Sequence, residues 1–375
     1  MVKKTRYFDY SMLAVLIFLI CFGLVMLYST SSYSALIEYG DSMYYFKRQI
    51  FFCIAGFAGM WIVSRFDYHI YIKWAKPAYF LSIFLMALVQ TPLGKTVNGA
   101  RRWLRLPFEQ QLQPSELAKI AVIIFIPVVI IKLGKEARTL RGIARILMWG
   151  GASAVCVYVL TENLSTAIIV MGITCIMVFV MHPKTKPFLV IAVAGMSLLI
   201  IGVQMLGRML ESSDNFRLQR IIAWLNPEAY AADTGYQTLQ GLYAIGSGGF
   251  FGKGLGNSAQ KMIIPEVQND MILSVICEEL GVFGAIIILV LFAMLLYRLL
   301  FIAQNAPDMY GSMVVTGIFS HIAIQVILNV AVVTNLIPTT GITLPFISYG
   351  GTSFLFLMAE MGIALGVSRS IKIAE

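Results

Sequence analysis

Ten stretches of this chain stay apolar long enough to cross a membrane, and no other feature limits the possible folds as tightly. Crossing about 30 Å of hydrocarbon at about 1.5 Å per residue takes roughly 20 mostly apolar residues in a helix. The stretches fall near 11–29, 48–64, 72–90, 117–133, 144–160, 164–181, 187–206, 271–303, 311–331 and 350–368. Of the 375 residues, 59% are hydrophobic and 13% charged. Soluble domains carry about a quarter charged residues, so a water-soluble fold, a disordered chain and a disulfide scaffold are excluded. The expected architecture is an all-α polytopic membrane protein with ten transmembrane helices. It forms one domain over 1–375, with a large extracytoplasmic loop, 207–270, between helices 7 and 8.

Charge sets the expected orientation. Lys3, Lys4 and Arg6 precede the first helix, and Lys132, Lys135, Arg138, Arg141 and Arg145 crowd one link. The positive-inside rule puts both segments, and with ten crossings both termini, in the cytoplasm. The first apolar run has no small-residue cleavage site after it and reads as a spanning helix. Two links expected outside are also basic: Lys95, Arg101, Arg102 and Arg105 in one, Arg208, Arg217, Arg220, Lys253 and Lys261 in the other. Their charge opposes the topogenic bias, which points to an anionic ligand, with internal salt bridges as the alternative. With a net charge of +9 on so apolar a chain, that ligand is expected to be a lipid headgroup or phosphorylated lipid rather than nucleic acid.

The five cysteines and three histidines show no metal-ligand spacing. The cysteines read as buried structural thiols. Three constellations are better candidates for chemistry. In Arg101-Arg102-Trp103, two guanidinium groups stand beside an interfacial ring, either to grip a diphosphate or to snorkel as an interfacial anchor; Pro114-Ser115-Glu116 then starts a helix on which Glu116 and Lys119 share a face. The segment Gly241–Lys261 holds seven glycines and allows close backbone approach to a ligand or another helix. It lacks the GxxxxGK[ST] pattern, so an ATPase is rejected. In Pro265-Glu266-Val267-Gln268-Asn269-Asp270, the aspartate stands where water meets hydrocarbon, either as a general base or as a helix N-cap. The run 336–348 carries two prolines and reads as a re-entrant or pore-lining segment. Glu360, in the middle of the last helix, is expected to be protonated or paired.

Taken in order, RRWL…QPSELAK, FRLQRIIAWLNP…GYQTLQGLYAIGSGGFFGKGLG, PEVQND…EELG and TTGITLPFISYGGTS resemble the SEDS family (shape, elongation, division and sporulation proteins) over nearly the whole chain. The resemblance implies a peptidoglycan glycosyltransferase of the bacterial cytoplasmic membrane that polymerises lipid II on the extracytoplasmic side. It also implies a class B penicillin-binding protein as partner, with other divisome or elongasome membrane proteins, and no nucleic acid. The family's essential aspartate falls on Asp270, and its functional basic positions match Arg102 and Lys119, with Glu116 between them. Its paired arginines match Arg217 and Arg220. Glu266 and Lys261 are further substrate-binding candidates, and a divalent cation (Mg or Mn) would suit a diphosphate leaving group. Asn163 stands where many members have an acidic residue. ARRWL and the Asn–Leu–Ser stretch lean toward division or sporulation members. A lipid II flippase is the alternative, and a scaffold without catalysis a weaker one.

Overall fold

The computed structural model describes residues 4–97, 100–105, 111–209, 216–231 and 235–374. Within them the chain forms twelve α-helices: α1 (Tyr10–Tyr39), α2 (Tyr44–Arg65), α3 (Ile70–Leu88), α4 (Pro114–Leu133), α5 (Leu140–Thr161), α6 (Leu164–Met181), α7 (Lys186–Met209), α8 (Phe216–Leu225), α9 (Tyr236–Gly248), α10 (Ile272–Asn305), α11 (Met309–Val333) and α12 (Gly351–Ser368). Among the described residues eight of these, α1, α2, α4, α5, α6, α10, α11 and α12, are long and apolar enough to cross a membrane. The chain is therefore a multi-pass membrane protein. α3 carries Lys73 and Lys76 in its first two turns and falls outside that group, yet its two ends lie against opposite faces of the bundle. Tyr68, just before it, donates to Asp308, while Gln90, just after it, donates to the Leu160 carbonyl.

Strand β1 (Lys4–Arg6) pairs antiparallel with β5 (Lys372–Ala374). The two ends of the chain therefore lie on one face, which requires an even number of crossings. The α2–α3, α4–α5 and α10–α11 links share this terminal face. The opposite face carries the α1–α2 link, a small antiparallel sheet of β2 (Gly94–Val97), β3 (Ala100–Arg105) and β4 (Gln111–Leu112), the α5–α6 turn, α8, α9 and the 249–271 segment.

The inner layer is α4, α11 and α12, each with over 60% of its spanning window buried inside the protein. α11 packs on α4, α6, α10 and α12, while α12 packs most extensively on α2. Close approach depends on small residues. A Cβ on Gly317 would lie 2.1 Å from the Met177 side chain, and one on Gly362 2.7 Å from the Met60 carbonyl. In hydrocarbon, where lipid tails are as apolar as leucine, such packing is what holds helices together.

The structure departs from the sequence reading in three places. α1 runs ten residues past its apolar stretch, and the Thr30 and Ser31 hydroxyls are satisfied within it by the Met26 and Leu27 carbonyls. It stops at Gly40, whose φ of 71° is left-handed. The stretch between α7 and α10, read as a loop, contains α8 and α9. Cys53 and Cys277 are buried as expected, but Cys21 and Cys175 are exposed on the bundle.

The proline-containing run after α11 is non-helical, and Ile342, Leu344, Phe346 and Ile347 are buried. It lies against α1 at Gly23, where an added Cβ would sit 2.7 Å from the Phe346 carbonyl. Non-helical backbone at this depth needs internal hydrogen-bond partners. Gln325 donates to the Thr343 carbonyl at 3.0 Å, Asn329 to Ile342 at 2.7 Å, and the Leu344 N–H to Ser348 Oγ at 2.8 Å.

Candidate functional site

Asp270 lies on the face away from the termini, half-buried, two residues before α10 begins. The N-cap of α10 is Met271, with no side chain capping it, so the aspartate is not the helix cap that its position allowed. Asn329 and Gln237 hold it directly, and Tyr349 holds the segment just before it. The Asn329 side-chain amide on α11 donates to the Asp270 carbonyl at 2.8 Å and to Ile342, so one side chain ties Asp270 to the buried run before α12. Gln237 on α9 donates to Asp270 Oδ1 at 3.3 Å and to the Pro265 carbonyl. The Tyr349 N–H donates to the Gln268 carbonyl at 2.9 Å. Glu266 takes a left-handed φ of 46° and accepts from the Asn269 amide at 3.0 Å, closing the turn that precedes Asp270. The carboxylate thus stands at the meeting of α9, α10, α11 and the α11–α12 link.

The basic candidates divide by environment. Arg102, on β3, is half-buried and donates to the Glu162 carbonyl at the α5–α6 turn, 3.2 Å away. Its neighbour Arg101 clamps the Gln90 and Thr91 carbonyls at the end of α3. Lys119 and Glu116 are both buried and paired at 3.0 Å, one turn apart on α4. Their charges cancel locally, and the ammonium is not offered to solvent. Arg217 and Arg220 are one turn apart on α8, the helix anchored by Trp224 Nε1 donating to the Asn335 carbonyl at 2.9 Å. Their side chains lie outside the described residues.

Lys261 points elsewhere. Its ammonium donates to the Gly256 carbonyl at 2.7 Å and pairs at 3.2 Å with Glu279, whose carboxylate is fully buried and also accepts from Ser29 on α1. Glu278, equally buried, accepts from Lys253 at 2.7 Å, from Ser258, and from the Gln260 N–H at 3.2 Å. Two adjacent carboxylates on α10 therefore fasten the glycine-rich segment from beneath. α10 breaks at Gly281, with φ 70° and ψ −169°, and there accepts that segment as a backbone neighbour. Lys253 and Gly254 donate to the Glu278 and Glu279 carbonyls, and Val282 and Phe283 donate to Gly249 and Phe250. A Cβ on Gly248, Gly252 or Gly281 would lie about 2 Å from a carbonyl oxygen of the facing chain. The glycines serve contact between backbones, which is the helix-packing alternative of the two that the sequence left open.

Asn163 caps α6, its side-chain oxygen accepting from the Thr166 N–H at 3.1 Å. An amide oxygen does this as well as a carboxylate, so the departure at this position keeps the turn intact. Among the described residues no three His, Cys, Asp or Glu side chains converge on a point where a metal could bind. The functional-looking group missed from sequence is His321: buried on α11, it is 2.8 Å from Glu360 on α12, and its Nε2 has no hydrogen-bond partner.

The family model described as Cell cycle protein, covering FtsW, RodA and SpoVE, matches residues 9–373. The chain belongs to the FtsW/RodA/SpoVE family. Stage V sporulation protein E of Bacillus subtilis is 37% identical over 369 residues, 98% of each chain. The probable peptidoglycan glycosyltransferase FtsW of Trichlorobacter lovleyi is 38% identical over 371 residues, 98% of this chain and 94% of that one. Among solved structures, a chain from a peptidoglycan synthase complex, reported for its coordination of polymerization and crosslinking, aligns with TM-score 0.78 at 23% identity, covering 97% of this chain and 98% of that one. The rod shape determining protein RodA of Thermus thermophilus aligns with TM-score 0.67 at 24% identity over 97% of each. At those identities the structures speak for a shared FtsW/RodA/SpoVE fold.

Proposed function

We propose that this chain is a peptidoglycan glycosyltransferase that polymerises lipid II on the outer side of the bacterial cytoplasmic membrane, with both termini cytoplasmic and Asp270 as general base. The observation that carries the reading is the position of Asp270. It is a half-buried carboxylate not used as a helix cap, and its backbone is fixed by Asn329 on the face away from the termini. The relative at 38% identity, named a probable peptidoglycan glycosyltransferase, supports the activity, and the relative at 37%, named a stage V sporulation protein, supports our placing the chain in division or sporulation septum formation rather than elongation.

In the reaction the Asp270 carboxylate takes the proton from the 4-hydroxyl of the acceptor's terminal GlcNAc. That oxygen forms a bond to the anomeric carbon of the donor's MurNAc, while the bond from that carbon to the diphosphate oxygen breaks. Undecaprenyl diphosphate leaves with the electron pair. Attack opposite the α-linked leaving group gives the β-1,4 bond by inversion, with no covalent enzyme intermediate. A base placed for this transfer contributes about 10²–10⁴-fold. Charge grows on the diphosphate as the bond breaks, so cations that hold it more tightly then than before accelerate the step. Arg102, Arg217 and Arg220 take this role. The buried Glu116–Lys119 pair contributes by fixing the start of α4 beneath Arg102 and the sheet; Glu266 shapes the turn ahead of the base. A class B penicillin-binding protein receives the glycan for crosslinking, as the synthase complex with the same fold suggests.

The test is purified protein with labelled lipid II, with and without a cognate class B penicillin-binding protein. Glycan ladders support the reading; movement of lipid II across liposomes without polymer would favour the flippase. One observation keeps that second reading in view: His321 and Glu360 form a buried titratable pair between two of the inner helices, the kind of group that transporters use.

A further inference from the structure

A cavity of about 680 Å³ opens on the terminal face, at the opposite end of the bundle from Asp270. Its wall is apolar: Ile72 of α3, Ile130 and Ile131 at the end of α4, Met181 at the end of α6, and Met309 and Tyr310 at the start of α11. Ile72, Ile131 and Met309 are partly exposed on the outside of the bundle, so the cavity communicates sideways with the membrane rather than only with water. Its volume lies within the roughly 300–1,000 Å³ typical of ligand sites.

The rim has the opposite character. Lys135 and Arg138, in the turn after α4, border the cavity and are exposed. Neither forms a salt bridge among the described residues; the adjacent Glu136 is taken by Arg145 at 2.9 Å. The acid of the lining, Asp308, is already occupied by the Tyr68 hydroxyl, by His69 Nε2 at 3.1 Å and by the Gly311 N–H at 2.8 Å. His69 also borders the cavity, and its hydrogen bond to Asp67 outweighs partial burial and raises its pKa. His69 is held between Asp67 and Asp308, so the rim offers two uncommitted basic groups, Lys135 and Arg138, above an apolar slot that reaches the lipid.

We propose that this cavity binds one anionic phospholipid of the adjoining leaflet, an acyl chain lying against the isoleucines and methionines and the headgroup phosphate held between Lys135 and Arg138. A water-soluble phosphate has no use for the apolar wall, and a zwitterionic lipid gains little from the rim. Basic pockets between membrane helices are known to hold anionic headgroups, each basic residue contributing about a fivefold preference. The inference does not depend on the polymerase reading.

The test uses the full chain in nanodiscs of equal phosphatidylglycerol and phosphatidylcholine, followed by native mass spectrometry of the lipid retained on release. The wild type should retain one phosphatidylglycerol in preference to phosphatidylcholine. Lys135→Gln with Arg138→Gln should lower that preference about thirtyfold, about 2 kcal/mol at 1.4 kcal/mol per tenfold. Ile131→Trp fills the slot with the rim charges intact, and should also lose the bound lipid. Unchanged thermal midpoints show that the variants are folded. Equal retention of the two lipids by the wild type, or wild-type retention by both variants, would overturn the proposal. Displacement of phosphatidylglycerol by an equimolar polyprenyl diphosphate would overturn it too, in favour of a substrate site.

Discussion

Lys261 allows the sharpest separation of a structural from a substrate-binding role. Its ammonium sits 3.2 Å from Glu279 and 2.7 Å from the Gly256 carbonyl, with its side chain 10% exposed and that of Glu279 fully buried. Removing one partner of a buried pair costs about 3–5 kcal/mol, because the other charge is left uncompensated. Glu279→Ala strips the ammonium of its counter-ion and leaves Ser29 and the Ser258 N–H without their acceptor. The ammonium retains the Gly256 carbonyl and a narrow path to water, which places the expected loss near the lower bound, about 3 kcal/mol. Lys261→Met leaves a fully buried carboxylate that still accepts from two donors, for about 3 kcal/mol as well. The double variant Glu279→Leu/Lys261→Met removes both charges together, and its loss should be smaller than the sum of the single losses by at least about 1.5 kcal/mol. Thermal midpoints in detergent at one scan rate, with lipid II binding measured on the same samples, provide the assay. If Lys261→Met leaves the midpoint unchanged while weakening lipid II binding, the strut assignment is wrong and Lys261 belongs to the substrate.

Further outcomes follow from other parts of the scaffold. Gly281→Ala should cost about 1–3 kcal/mol for a backbone conformation that essentially only glycine adopts, and more because the new Cβ meets the Phe250 carbonyl at 2.3 Å; faster proteolysis of the 249–262 segment would report it. Glu360→Gln keeps an acceptor 2.8 Å from His321 and should leave polymerisation within about threefold of wild type, since a carboxamide oxygen still accepts from the ring; a loss above a hundredfold would put the pair in the reaction path. His69 has its pKa raised, chiefly by hydrogen bonding to Asp67, so the stability it contributes is complete below about pH 6.5 and fades as pH rises through the folded value. The pH dependence of the thermal midpoint above neutrality should therefore flatten in His69→Gln, and an unaltered profile would contradict the assignment.

Much of this architecture could be read from the chain because its strongest signals are local. A helix occupies each apolar run, and the proline-bearing segment before α12 is non-helical, as its residues demanded. α8 and α9 were hidden because short helices at a membrane surface lack a long apolar run. The three-stranded sheet between α3 and α4 is built from segments only two to six residues long, too short for alternation to register. Contacts between distant residues were the least legible. Glu279 meets Ser29 across 250 positions and His321 meets Glu360 across 39, and nothing in the spacing of either residue announces its partner. For the same reason Lys261 looked available in sequence and is committed in the fold, whereas Asp270 looked like a helix cap or a base and is not the cap.

The central claim is that Asp270 removes the acceptor's proton, and Asp270→Asn is its most direct test. The substitution keeps size and hydrogen-bonding capacity while removing the base. Polymerisation of labelled lipid II should fall by about 10²–10⁴-fold, with the thermal midpoint and lipid II binding retained, because the backbone contacts from Asn329 and Tyr349 do not involve the carboxylate. Glycan ladders from Asp270→Asn at near the wild-type rate would contradict the account.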